Sequence, residues 1–312
     1  MPKLAERTLI LLKKEAEYGV DPNPSPDKDF VAVADVSVTP DVTYLDPAAM
    51  DGSLSPREGR AGRRFITVTF THELQLNAGE PFTTAPIVPA LEACGFAEVA
   101  PGVFQPVSSG FSSCTIWVYY DGLLWKINGC RGNVEFNFTA GEWATLNFTF
   151  TGLYSAPTDE DLPLQWTERG SAPLKCIGGE LKAWGLTPPP VINALTLNMN
   201  NEIQTPPSIT GRHGITHVVI TNRNPEGSID PEMESVAAHD WEKLLSTPVL
   251  GELAYTLQSD QAKFTLRIPQ AQLMGLGTGT RDGLRTYEIP FKAVRDKGDD
   301  EVELRFEPIA TS

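Results

Sequence analysis

Between Cys114 and Tyr154 the chain reads CTIWVYYDGLLWKINGCRGNVEFNFTAGEWATLNFTFTGLY. The strongest constraint on the fold is the alternation inside this stretch. Val134, Phe136 and Phe138, then Ala144, Leu146, Phe148 and Phe150, fall on one side of a pleated strand pair. Glu135, Asn137 and Thr139, then Thr145, Asn147, Thr149 and Thr151, fall on the other. A period of two over this length specifies strands with one apolar face and one wet face. Two turns are expected, at Asp121-Gly122 and at Ala140-Gly141-Glu142, because Asp-Gly between apolar runs is the signature of a type I′ hairpin. The stretch therefore reads as four strands joined by two tight turns and one short link. If residues summing to 243 face each other about Asp121-Gly122, Cys114 opposes Gly129 and Cys130 opposes Ser113.

The 26 prolines and 26 glycines, with no long run of either, favour many short strands and turns over helices. A length of 312 residues suits two domains. Along the chain a strand is expected at Val31–Tyr44, broken near Pro40, then a long polar loop at 45–64, then a strand at Phe65–Leu76 with Ile66, Val68, Phe70 and Leu74 inward. Loops of that length are usually functional or disordered. A short helix fits Pro86–Cys94, with Gly95 as its stop. From Ser155 to Pro190 the periodicity disappears, apart from a small strand near Leu181–Trp184. The same order then returns: strand Ile192–Asn200, loop Asn201–Gly214, strand Ile215–Asn222, helix Asp240–Leu245, and strands at Leu253–Gln258, Lys263–Ile268, Thr286–Val294 and Glu301–Phe306. The reading is mainly β, with two tandem β-sandwich or barrel domains, each with a flanking helix and a long inter-strand loop. Residues 1–30 form an arm, 31–156 and 191–312 the domains, and 157–190 the linker. The formal charge of −15 divides evenly, 11 Lys+Arg against 18 Asp+Glu in 1–156 and 14 against 22 in 157–312, or −7 and −8.

That acidity excludes a sequence-reading nucleic-acid binder, which needs a basic patch, but not a surface past which DNA slides. Cys94, Cys114, Cys130 and Cys176 have no zinc-ligand spacing and are expected as buried thiols. The Leu9–Leu12 run is too short for a secretory core and no apolar run approaches a membrane span, so the expectation is a protein that stays in the cytoplasm where it is made. Gly275–Gly279 lacks the Gly-Lys-Ser/Thr ending and the following helix of a phosphate loop. His213 and His217 straddle a strand start, where four residues span roughly 13 Å, too far for one metal ion. No catalytic constellation stands out, and no enzyme, metal or cofactor is expected.

Several segments resemble the major tail tube protein of long-tailed, non-contractile bacteriophages: Leu11–Glu15 through Tyr18–Pro22, Val36–Pro40, Phe104–Gly110 (FQPVSSG), Gly129-Cys130-Arg131-Gly132, Gly141-Glu142 and Phe150–Tyr154. The likeness is strong over 1–165 and thinner over 190–312. It implies a β-sandwich that donates strands to a barrel around a lumen, in rings stacked into a tube through which double-stranded DNA passes. Two copies in one chain imply a ring of three chains. The resemblance also implies tape-measure and tail-terminator or tail-tip proteins as partners, a place in the virion tail, and assembly in the host cytoplasm without a membrane. In this reading Thr67, Thr69, Glu73, Glu135, Asn137, Thr145, Asn147 and Thr149 line the lumen. The loops 46–64 and 202–212 bridge to the adjacent ring, through Asp51, Arg57, Arg60, Arg63, Arg64, Glu202 and Arg212. Two other readings stay open: a soluble carbohydrate- or partner-binding sandwich using Trp117, Tyr119 and Trp125, and the inner tube of a contractile machine.

Overall fold

The computed structural model describes residues 4–75, 82–167, 172–247, 249–260 and 262–309. The chain is mainly β. Its strands in order are β1 (Thr8–Lys14), β2 (Phe30–Val31), β3 (Ala34–Leu45), β4 (Arg60–Glu73), β5 (Phe96–Ala100), β6 (Val103–Pro106), β7 (Cys114–Tyr120), β8 (Leu123–Thr139), β9 (Thr145–Leu153) and β10 (Thr158–Asp159). They continue with β11 (Glu180–Ala183), β12 (Ile192–Asn198), β13 (Glu202–Gln204), β14 (Val219–Asn222), β15 (Glu226–Pro231), β16 (Gly251–Gln258), β17 (Ala262–Leu273), β18 (Gly277–Arg281), β19 (Leu284–Ala293) and β20 (Glu303–Pro308). Two short helices, α1 (Val88–Ala93) and α2 (Trp241–Ser246), lie where the proline, the Gly95 stop and the Asp240 cap predict them. The Asp240 side chain accepts the Lys243 amide at 2.9 Å, supplying the missing partner of a helix N-terminus.

The alternation after Cys130 is reproduced. Val134, Phe136, Leu146 and Phe150 are buried, and Phe70, Phe148 and Phe150 pack ring to ring at 5.3 to 5.8 Å. The expected short link is absent: β8 is one strand of 17 residues, so the stretch holds three strands rather than four. Its first part pairs with β7 and its second with β9. Between them, two residues of β8 oppose one of β7, a bulge in which Gly129 takes φ +63°. The bulge shifts the register by one, so Cys114 opposes Cys130 rather than Gly129. All four cysteines are buried free thiols.

Two pairing orders run through the chain. The first is β1-β7-β8-β9-β4-β3, with β10 beside the start of β8. The second is β11-β16-β17-β19-β15-β12, with β20 beside the start of β17. In both, one long strand pairs with one neighbour along its first part and with another along its second. The two sets meet twice. β12 pairs with the far part of β8 over five residue pairs, Ala194↔Thr139 to Asn198↔Glu135, and β20 pairs with β6 at Leu304↔Phe104. A single apolar core runs through both, with Phe138 5.4 Å from Tyr255 and Phe104 5.8 Å from Phe306.

Four further details differ from the sequence reading. Thr8–Lys14, within the expected arm, form a strand paired with β7 over seven residues, because Leu9 to Leu12 are apolar toward both faces and all four are buried. Pro40 does not break β3, which runs through it opposite Ile66. A proline is tolerated there because, among the described residues, β3 pairs only with β4 and is an edge strand. The strand expected at Ile215–Asn222 is reduced to β14, and the strand near Leu181 belongs to the second set through β16. Leu76, the expected end of the strand from Phe65, lies outside the described residues.

Candidate functional site

The polar positions of the central strands line up across the whole molecule. One register row joins Thr71, Asn147, Glu135, Asn198, Glu226, Lys292 and Gln272, each the cross-strand partner of the next. The adjacent row joins Glu73, Thr145, Asn137, Thr196, Ser228 and Pro290. Thr67 and Thr69 extend the face toward Thr151 and Thr149 on one side and toward Thr39 and Ser37 on the other. The eight residues expected on a lumen wall therefore share one face of one sheet. That face continues, through the β8–β12 seam, into residues that sequence reasoning did not single out: Thr196, Asn198, Glu226, Ser228 and Lys292. Their alternation with Leu195, Leu197 and Ile229 is visible in the sequence, but the seam that aligns them with β8 is not.

Chemically this face is neutral to acidic and tied to itself. Thr71 Oγ1 donates to Asn147 Oδ1 at 2.9 Å, Asn133 Nδ2 to Asn198 Oδ1 at 2.7 Å, and the hydroxyls of Thr196 and Ser228 lie 2.9 Å apart. Thr67 Oγ1 donates to Asp41 Oδ2 at 2.9 Å. In the two rows the formally charged residues are Glu73, Glu135, Glu226 and Lys292. Arg131, the cross-strand partner of Thr151, is occupied in holding the chain together: its guanidinium donates to the carbonyls of Val218, Phe111 and Ser112 at 2.7, 2.9 and 3.2 Å. Side chains already bonded to neighbours offer a passing anion few donors, and cations are scarce.

Behind this sheet a buried carboxylate fixes the β8 bulge. Glu15 accepts from Ser113 Oγ at 2.6 Å, Thr115 Oγ1 at 2.7 Å, the Gly129 amide at 2.6 Å and the Gly19 amide at 2.8 Å. Tyr18 donates to the Gly129 carbonyl at 3.0 Å and accepts the Val218 amide at 2.7 Å; burial pushes its hydroxyl up to about 12, so it stays protonated. The segment 199–225, between β12 and β15, is thereby clamped over the ends of β4, β8 and β9.

The loop residues fall into two groups. Arg63 Nη1 donates to the Thr205 carbonyl at 3.1 Å, the Arg64 amide donates to His213 O at 3.0 Å, and the Arg64 guanidinium lies 4.9 Å from the Tyr154 ring. These residues tie the two loops to each other within one chain. Arg57 pairs with Asp51 at 2.8 Å, and that hydrogen bond lowers the Asp51 carboxyl below its ordinary value. Glu202 accepts from Gln204 at 3.0 Å, and Arg212 is exposed. Arg60 makes no ion pair among the described residues. Around Arg57 the loop 46–59 stands open, with Met50 and Leu54 fully exposed.

The aromatic shelf is not formed. Trp117 and Tyr119 are 8% and 3% exposed under Leu9, Leu11 and Leu162, whereas Trp125 is opposite Val118 and points to the other face. Among the described residues no three potential ligands cluster around a metal position. A family model described as phage tail tube protein matches residues 5–306. No curated protein matches the chain.

Proposed function

Because this chain belongs to the phage tail tube protein family, a structural component of the virion tail, we propose that it is built as two tail-tube units and that three chains close one ring of the tube. The observation that carries this reading is the continuous band β3-β4-β9-β8-β12-β15-β19-β18, which crosses both halves and ends in two strands whose outer edges have no strand partner among the described residues. The identical pairing orders support two units, with cores at 31–156 and 191–312, the first completed by β1 and β10 and the second by β11. At the internal seam β12 is bonded to β8. In the first unit the strand in the place of β12 is β3, and its outer edge is free for the same bond to the next chain. Heterologous edges of this kind generate a ring when the rotation closes.

In that ring the band lines the lumen and double-stranded DNA passes along Thr67, Thr69, Glu73, Glu135, Asn137, Thr145, Asn147 and Thr149. Phosphates meet hydroxyls, amides and carboxylates instead of cations, so the duplex is held off weakly and finds no place to pause. Tape-measure and tail-end proteins are the partners a tube of this kind requires, and assembly takes place in the host cytoplasm. Image averages of isolated tails, computed without imposed symmetry, test the ring: three chains of 312 residues per ring are expected, and six would overturn the two-unit reading.

A further inference from the structure

The long hairpin at the end of β3 and β4 has no counterpart of its own to rest on. Tyr44 and Leu45 are 68% and 62% exposed, and beyond them Met50 and Leu54 are bare. Its equivalent in the second unit, the 199–225 segment, behaves differently. It turns back across the β8–β12 seam and lies on the preceding unit, where His213 packs on Tyr154 just after β9, at 5.0 Å between ring centres, and Gly214 sits against Arg63 near the start of β4. The corresponding place on the second unit, just after β19 and just before β15, is an open cleft of about 820 Å³. Phe111, Lys292 and Arg295 line it, together with Asp299 and Glu301, whose carboxylates pair with Arg223. Lys292 and Arg295 have no ion-pair partner among the described residues, and neither do Asp46 and Glu58 of the loop. Charges of opposite sign are thus left over on the two surfaces, with bare apolar side chains on the loop and the half-buried Phe111 in the cleft.

We propose that residues 43–60 of one chain lie in this cleft on a second copy beside it in the same ring, as 199–225 lies on the first unit within a chain. The contact rests on the ring reading above, and it puts the loop between neighbours within a ring rather than between rings. Each junction around the ring, inside a chain or between chains, is then sealed twice: by a strand edge and by a loop thrown back over the preceding unit.

Paired cysteines test it, since the native cysteines are buried. Leu54→Cys or Met50→Cys is combined with Arg295→Cys, the protein is assembled, and a short bis-maleimide is added, with each single variant as control. The expected result is covalent species that stop at the number of chains in one ring. A ladder running past that number means contact with the next ring and overturns the proposal. So does absence of cross-linking in samples whose images show normal tubes. Samples without rings or tubes would instead remove the reading on which it rests.

Discussion

The buried carboxylate of Glu15 is the residue on which the sandwich depends most directly. Four donors converge on it at 2.6 to 2.8 Å from the N-terminal segment, from both strands of the β7–β8 hairpin and from the residue preceding β7. Removing the acceptor leaves those donors buried and unsatisfied, and each such loss costs on the order of 1 to 3 kcal/mol. Glu15→Ala should destabilise the isolated chain by about 3 kcal/mol or more in urea unfolding, with Glu15→Gln intermediate. His72 makes a different demand. It is 4% exposed, with Nδ1 2.8 Å from the Ala32 carbonyl, and burial holds its pKa down to about 4. The unfolded chain, near 6.5, binds the proton first. Stability contributed by the neutral ring is therefore present above pH 6.5 and is lost as pH falls toward 4, by up to about 3 kcal/mol. Urea midpoints measured between pH 7 and 4.5 should fall less steeply for His72→Asn, whose amide can replace Nδ1; an unchanged slope would count against a neutral buried imidazole. Neither role is legible in the sequence. Glu15 and His72 are ordinary polar residues there, and what makes them matter is the convergence of segments about 100 and 40 residues away.

At the scale of strands, the part that could be read is the part governed by local pattern. Val134 to Phe150 announce their faces by alternation, Asp121-Gly122 announces a turn, and both residues take positive φ, at 43° and 89°. The same logic marks Asp282-Gly283, at 51° and 81°, as the turn of the β18–β19 hairpin, whose first strand lies outside those expected above. What could not be read is set by distant partners. The Cys114–Cys130 register depends on a bulge stabilised by Glu15, and the tolerance of Pro40 depends on β3 being an edge. Gly132 shows how closely these strands approach. A Cβ there would lie 2.4 Å from the Thr149 carbonyl oxygen and 2.5 Å from the Phe150 ring, and the carbonyl belongs to the ladder and cannot yield. Gly132→Ala should cost about 2 to 3 kcal/mol, as overpacking of a tight site does, and hydrogen exchange should show the loss centred on β8 and β9. Protection lost instead at the chain ends would mean that the strain spreads elsewhere.

For the whole molecule, the mainly β class was legible, because turn residues and periodicity are local. The seam between β8 and β12 was not, since nothing in either strand names the other. Yet the seam is what turns two polar faces into one wall. If that wall faces DNA, its scarcity of cations is a functional property, and adding cations should show it. With Glu135→Lys and Asn137→Lys together, tails of normal length are expected to eject DNA more slowly, with the delay shrinking as salt rises. Normal ejection kinetics at low salt would exclude these residues from the wall.

The outer edge of β3 carries one more consequence. Beside Pro40, the ladder of β3 with β4 shifts register twice, between Ala34 and Ser37, where the extra residue lies on β3, and between Val42 and Tyr44, where it lies on β4, so a proline and a bulge interrupt a strand of twelve residues. An edge broken in this way is a poor template for chance pairing, since any stray strand laid against it loses bonds at every interruption. In the ring proposed here it would hold only a partner that also offers the cleft for the loop. Every copy of this chain offers both, so the broken edge favours its own kind over the unrelated strands of a crowded cell.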